Sequence, residues 1–418
     1  MSRPWTLPLR RNRPGDDDGR PSSGRGAANP LQVLRRRFHS GELGSVPVVL
    51  GLLVVWIIFE SLNPAFLSPR NLSSLSVDIV GIGMISTGVV FVLLLGEIDL
   101  SVGSVSGLAA AAFAVLNVNE GVPEVLALLL AVLAGTAVGA VHGFFFAKVG
   151  VPAFVVTLAG LLGWNGLMLY LLGSSGTINL DDKGLLAMLT GFYFSHVAAA
   201  YGLAALGTAG YFLVAYQDVR RRRAAGVPAR PLSEIILRTG VLAVISLASA
   251  YVLNQFQGLP LALLIFLVFL VGLDQVLVRT RYGRMLFALG GSVEAARRTG
   301  LNVDLVRISV FMVSGTMAAI GGLFLASRVT SATQTSGSGN LLMDAIAAAV
   351  IGGTSLFGGR GRTWSALLGV LVIQSIASGV ALLGVQTAVQ YMITGGVLLV
   401  AVTIDSLSRR AQRAHGRV

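Results

Sequence analysis

From residue 46 onward the chain is a succession of apolar blocks separated by short polar turns. A helix crosses the hydrocarbon of a bilayer with roughly 17 to 25 such residues. The pattern predicts segments near 46–61, 74–95, 102–117, 125–147, 152–173, 197–216, 235–253, 259–278, 305–326, 341–357, 363–383 and 387–405. The segments at 102–117 and 341–357 are short, and read as half-helices or re-entrant pieces. The predicted fold is all-α: a polytopic transmembrane helix bundle of about twelve membrane segments, spanning 46–407.

Composition sharpens this picture. Apolar residues make up 54% of the 418 residues and charged residues 12%, against about 25% charged in a soluble domain. Mean hydropathy is +0.78. The 52 glycines let helices approach closely in lipid. There is no cysteine, which excludes disulfides, thiolate chemistry and cysteine metal sites.

The net charge of +12 is explained by its distribution rather than by nucleic acid. With the N-terminus in the cytoplasm, every basic residue except Arg70, Lys183 and Arg328 falls on the inner side, as the positive-inside rule requires. Gaining or losing one span would move a basic loop outward, so both termini are expected inside. Residues 1–45, with Asp16-Asp17-Asp18 and Arg35-Arg36-Arg37, lack an apolar period and read as a disordered basic cytoplasmic tail. Residues 408–418 read as a second basic tail. The run Arg220–Arg223 fits topology and contact with anionic lipid.

Polar residues inside apolar sequence are the candidates for chemistry. In Gly96-Glu97-Ile98-Asp99-Leu100-Ser101-Val102-Gly103 two acids sit beside membrane segments, where unpaired charge is costly. Two readings stand: Asp99 or Ser101 caps the following helix, or Glu97 and Asp99 line a polar pathway. Asp344 lies in the first turn of a short apolar segment, where an acid complements the helix dipole. Asn165, beside Trp164 in an apolar span, either hydrogen-bonds a neighbouring helix or lines the pathway. These four acids and amides are the translocation candidates.

The glycine-rich stretch 352–361 fails the test for a phosphate loop. No Gly-Lys-Ser/Thr follows, and the only lysines are Lys148 and Lys183. The chain is therefore not expected to hydrolyse ATP itself. His39, His142, His196 and His415 are scattered, without metal-ligand spacing, so neither a metal site nor a catalytic group is predicted. The spacing Gly96-x3-Leu100-x2-Gly103 recurs as Gly352-x3-Leu356-x2-Gly359, a faint internal echo. The polar loop 279–307 contains Glu294-Ala295-Ala296-Arg297-Arg298-Thr299-Gly300, helix formers closed by a glycine cap. It reads as a short cytoplasmic helix and a docking surface.

In these residues the chain resembles the permease subunits of ATP-binding-cassette importers for monosaccharides, of the ribose, arabinose and xylose type. The resemblance runs from about 70 to 407 and rests on four motifs in order. They are Gly96 to Gly103, Gly150-Val-Pro-Ala-Phe-Val-Val-Thr-Leu158, Glu294 to Gly300, and Asp344-Ala-Ile-Ala-Ala-Ala-Val-Ile-Gly-Gly-Thr-Ser-Leu-Phe-Gly-Gly359. It implies a multi-pass protein of the bacterial inner membrane. The partners it implies are a second permease chain in a homodimer, a cytoplasmic ATPase that hydrolyses ATP, and an extracytoplasmic sugar-binding protein.

No cofactor is implied on this chain. Glu294, Ala295, Ala296 and Gly300 match the ATPase-contacting segment, and Gly96, Gly103, Gly352, Gly353, Gly358 and Gly359 match structural glycines. Residues 179–258 form a two-span insertion like that of xylose-type members, which makes D-xylose the expected substrate. The chain departs from the pattern in Gly339 to Asp344, which is one residue longer and lacks a Glu. The alternative is an ion-driven sugar transporter in which Glu97, Asp99 or Asp344 carries protons. A membrane-embedded enzyme is disfavoured by the shortage of His, Lys and Cys.

Overall fold

The computed structural model describes residues 46–414, and their side chains except those of residues 404, 405 and 407–414. The tail expected at 1–45, with its Asp and Arg runs, lies outside the described residues. Among the described residues nine helices are long and apolar enough to cross a membrane, and three shorter apolar helices, Val46–Leu62, Leu341–Ile351 and Thr387–Thr403, accompany them. The architecture is the expected all-α bundle. Its helices are α1 (Val46–Leu62), α2 (Pro69–Leu95), α3 (Val102–Ala114), α4 (Glu124–Phe144), α5 (Ala153–Leu172), α6 (Leu185–Gly191), α7 (Val197–Ala224), α8 (Leu232–Asn254), α9 (Leu261–Arg279), α10 (Arg281–Gly291), α11 (Val293–Arg298), α12 (Val303–Val329), α13 (Leu341–Ile351), α14 (Thr363–Leu382) and α15 (Thr387–Ala414). A wide π turn extends α3 to Asn119 and another extends α4 to Val149. The last helix continues past 407, the expected end of the membrane domain, to Ala414.

The hub is α2. Ser68 caps it by accepting the Asn71 N–H, Pro69 occupies the first turn, and Gly96 ends it in the left-handed conformation. These are the residues a helix start and stop favour. The most apolar window of α2 is 94% buried inside the protein, whereas α7 and α8 are only 11% buried. Helix α2 is thus a core helix wrapped by other helices. The α7–α8 hairpin, which occupies most of 179–258, is peripheral and has its own small cluster of Ala200, Ala204, Ala250, Leu253 and Leu259. Two short antiparallel ribbons tie the loops together: Thr177–Asn179 (β1) on Ser331–Thr333 (β4), and Tyr193–Phe194 (β2) on Leu259–Pro260 (β3).

Helix α12 crosses α2, α3 and α4 at close range. On α4 the glycines at 135, 139 and 143 recur every fourth residue and form one face. A Cβ on Gly139 would overlap the Phe311 carbonyl oxygen, and one on Gly143 would come within 2.6 Å of the Ile308 Cα. Gly315 of α12 answers from the other side, against the Gly135 carbonyl. Lipid supplies no hydrophobic drive between helices, so such close backbone packing carries their association. Gly163 on α5 has nothing within 4 Å of its Cβ position. Gly139→Leu is therefore expected to lower the thermal midpoint and folded yield of the detergent-solubilised protein. Gly163→Leu is expected to leave both unchanged. Equal behaviour of the two variants would disprove the close crossing.

Candidate functional site

The loop 96–101, between α2 and α3, turns back into the bundle. Gly96, with φ +82°, donates its N–H to the Leu93 carbonyl, and three residues later Asp99 is buried, at 3% exposure. Its carboxylate accepts three hydrogen bonds. The Ser101 N–H (2.9 Å) and Ser101 Oγ (2.6 Å) donate to Oδ1. Ser314 Oγ, near the middle of α12, donates to Oδ2 at 2.8 Å. Ser101 Oγ also lies 3.3 Å from Nδ1 of His142 on α4. Nε2 of the same ring accepts the Trp164 Nε1–H of α5 at 2.8 Å. From α5 as well, Thr157 Oγ1 reaches the Ile98 carbonyl at 3.5 Å. A loop of six residues is thereby held by three helices.

This corrects the capping expectation. Ser101 occupies the cap position of α3 but its side chain accepts no N–H of the first turn; its Oγ donates to Asp99 and faces Nδ1 of His142 instead. Asp99 holds the Ser101 N–H rather than those of the first helical turn. The group is a cross-helix network, not a local cap.

Helices α3 and α13 both begin inside the bundle, and their starts meet. A Cβ on Gly103 would lie 2.6 Å from the Gly337 carbonyl oxygen and 3.6 Å from Leu342 Cβ. One on Gly107 would lie 2.7 Å from Met168 Sδ and overlap the Ser336 carbonyl. The segment after β4 therefore dips back beside the first turns of α3 before α13 starts. Asp344, in the first turn of α13, is half-buried and makes no side-chain hydrogen bond or ion pair among the described residues. Asn165 is half-buried on α5 and likewise has no side-chain hydrogen bond among them; its neighbour Trp164 is the residue joined to the network. The N-terminal ends of α3 and α13 thus meet inside the bundle, next to the loop 96–101.

The other end of the loop faces the helices of 279–307. Helix α10 buries Leu286 and Leu289 and ends on a backbone junction. A Cβ on Gly290 would overlap the Leu94 carbonyl oxygen, and one on Gly358 would come within 2.7 Å of the Gly290 carbonyl and 3.0 Å of the Gly96 nitrogen. The Gly359 N–H donates to the Leu94 carbonyl at 3.0 Å. So the two segments of the glycine echo, 96–103 and 352–359, touch each other and α10. Gly353, Gly358 and Gly359 all have positive φ, and Gly352 packs on the Ser365 carbonyl.

Beyond this junction α11 is a single capped turn. Ser292 Oγ accepts the Ala295 N–H at 3.3 Å. At its end Gly300 (φ +78°) donates to the Arg297 carbonyl and Leu301 donates to the Ala296 carbonyl, the paired bonds of a Schellman stop. Ala296 is the buried anchor; Glu294, Ala295 and Gly300 are exposed.

The same end carries paired charges. Lys148 Nζ meets Asp304 Oδ2 at 2.9 Å, and the Arg307 guanidinium lies 4.4 Å over the Phe146 ring. Glu97 is half-buried; burial pushes its carboxyl pKa up and the nearby Arg307 pulls it back. Among the described residues no group of three or more His, Cys, Asp or Glu is placed to hold a metal ion.

Reading the sequence missed His142, Trp164, Ser314 and Gly290. An ionisable residue inside an apolar span was the available signal for His142. Nothing in spacing could pair it with a serine 41 positions earlier.

Comparison with known proteins gives a consistent result. The family model for the permease component of the branched-chain amino acid transport system matches residues 71–402. The xylose transport system permease protein of Escherichia coli strain K12 is 34% identical over 365 residues, 87% of this chain and 92% of that protein. Its counterpart in Haemophilus influenzae is also 34% identical, over 87% of this chain and 96% of that protein. The ribose import permease protein of Bacillus subtilis strain 168 is 32% identical over 376 residues, 90% of this chain and 97% of that protein. No solved structure matches the chain.

Proposed function

The chain belongs to the family of permease components of the branched-chain amino acid transport system type, and from that premise we propose that it is the membrane subunit of an ATP-driven monosaccharide importer. D-xylose is the substrate we favour, because xylose permeases stand among its relatives at 34% identity and because 179–258 holds an added helix hairpin. The partners are a cytoplasmic ATPase, an extracytoplasmic sugar-binding protein and a second copy of this chain. Both termini lie in the cytoplasm of a bacterial cell whose inner membrane the bundle spans.

The observation that carries the reading is the mounting of α11. A solvated connector needs neither a serine cap nor a Schellman stop, nor a buried alanine pinning a single turn against α12. Here these features present Glu294 and Ala295 outward on a turn fixed to the core through α10 and the glycine junction. A partner pressing on that turn would displace α10 and, through Leu94, the loop 96–101.

Cross-linking of the tagged chain in native membranes through 279–307, followed by mass spectrometry, tests the reading. Recovery of an ATPase is the expected result. Glu294→Ala and Gly300→Val are expected to lower the initial rate of D-xylose uptake about tenfold with membrane insertion intact. The second forces a β-branched residue into the left-handed conformation, a cost of about 1–2 kcal/mol, and 1.4 kcal/mol is a factor of ten. Normal uptake in both variants would remove α11 from the docking surface. For the ion-driven alternative, Asp344 is the best carrier because Asp99 is already committed to three donors. Collapse of uptake on adding a protonophore at constant ATP would favour it.

A further inference from the structure

Two independent hydrogen bonds fix the protonation state of His142. The indole N–H of Trp164 can only donate, so Nε2 of His142 is an acceptor and carries no proton. The hydroxyl of Ser101 has one hydrogen, and at 2.6 Å it is given to Asp99 Oδ1. Ser101 Oγ therefore accepts from His142, and Nδ1 carries the proton. The ring is neutral and Nδ1-protonated, one link in a directed chain from Trp164 through His142 and Ser101 to Asp99. His142 is itself only 3% exposed. A Cβ on Gly160 of α5 would overlap its ring, so the ring packs directly against the α5 backbone.

We propose that His142 is a positioning residue for transport: in its neutral Nδ1–H form it locks the loop 96–101 to α4 and α5, so that movement of the docking helices is passed to the transmembrane bundle. The proposal rests on the reading of the chain as an ATP-driven permease. One side of the loop takes the push, because Leu94, Gly96, Gly290 and Gly358 share backbone contacts. The opposite side must be tied to the helices that move. Ser314 supplies the tie to α12, Thr157 a direct tie to α5, and the chain through His142 to Trp164 the tie to α4 and a second one to α5. Without His142 the loop keeps its links to α12 through Ser314 and to α5 through Thr157 but loses its link to α4. Displacement of α10 then bends the loop instead of moving the bundle, and ATP is hydrolysed without transport.

The first arm of the test is nitrogen-15 NMR of the full-length, histidine-labelled protein in lipid bilayers, with the His142 signals assigned by their disappearance in His142→Phe. The expected result is a protonated Nδ1 and an unprotonated Nε2. A Nε2–H tautomer or an imidazolium would overturn the proposal. This arm does not require a partner, so it stands or falls apart from the transport reading.

The second arm is D-xylose transported per ATP hydrolysed, in vesicles holding the chain with its ATPase and binding protein. His142→Phe is expected to lower that ratio at least tenfold while ATP hydrolysis continues. His142→Asn, which keeps an N–H donor close to the Nδ1 position, is expected to restore part of it. If His142→Phe does not fold, Trp164→Phe serves in its place, with a smaller fall in the same ratio expected. An unchanged ratio in the folded variants would overturn the proposal. Failure to find any ATPase would instead remove the importer reading and leave the tautomer to be judged by the first arm.

Discussion

Asp99→Ala is expected to cut uptake of the proposed substrate, D-xylose, about a hundredfold in membrane vesicles, at normal abundance in the membrane. The carboxylate accepts bonds from the Ser101 N–H, Ser101 Oγ and Ser314 Oγ, all in a buried region. Alanine leaves these donors without their acceptor, and each buried group left unsatisfied costs about 1–3 kcal/mol. Ser314 can recover by turning its hydroxyl to a carbonyl of its own helix. The Ser101 N–H cannot, since its position is set by the turn. A net cost of about 3 kcal/mol falls on the folded loop, which is about a hundredfold in the population of its ordered form. The helices themselves lose no packing, so insertion persists. Asp99→Asn keeps one acceptor and adds an amide that faces donors, and an intermediate fall is expected. Initial uptake rates, normalised to the amount of chain recovered as a monodisperse peak, measure both variants. Uptake of Asp99→Ala at the rate of the unaltered chain would show that the loop needs no such anchoring.

The sequence made the fold legible because bilayer-length apolar blocks carry their own boundaries. The segments predicted near 74–95, 125–147 and 152–173 correspond to α2, α4 and α5. The short pieces at 102–117 and 341–357 correspond to α3 with its π turn and to α13. What spacing could not give was depth. Asp344 reads as the first turn of a short apolar segment, and the residues before it pack beside Gly103, so α13 begins within the bundle. Capping of α3 by Asp99 or Ser101 was the economical local reading, and a residue 215 positions away, Ser314, displaced it. The stretch 352–359 looked like a weak echo of 96–103 until the two proved to be in contact. The missing partner in that contact, Gly290, is one of 52 glycines, and nothing in the chain marks it as different from Gly291.

That difference gives the second large effect. Gly290→Val is expected to abolish uptake and to lower the thermal midpoint, whereas Gly291→Ala is expected to retain the midpoint of the unaltered chain. A Cβ at 290 would overlap the Leu94 carbonyl oxygen and lie 2.8 Å from the Gly359 nitrogen; one at 291 would have nothing within 4 Å. Both obstacles at 290 are backbone atoms, and the first of them accepts the Gly359 N–H, so neither can move without breaking the other. Overpacking a close contact costs about 1–3 kcal/mol when side chains can yield, and here the yielding groups are main chain. Relief can come only by lifting α10 off the end of α2. That movement carries α11 and the exposed Glu294 away from their mounting, and it frees the loop 96–101 from its support. Loss of uptake should therefore come with loss of ATPase cross-linking through 279–307, even in the fraction of Gly290→Val that remains folded. Retained cross-linking at a lowered midpoint would mean that the junction stabilises the bundle but does not set the position of the docking turn.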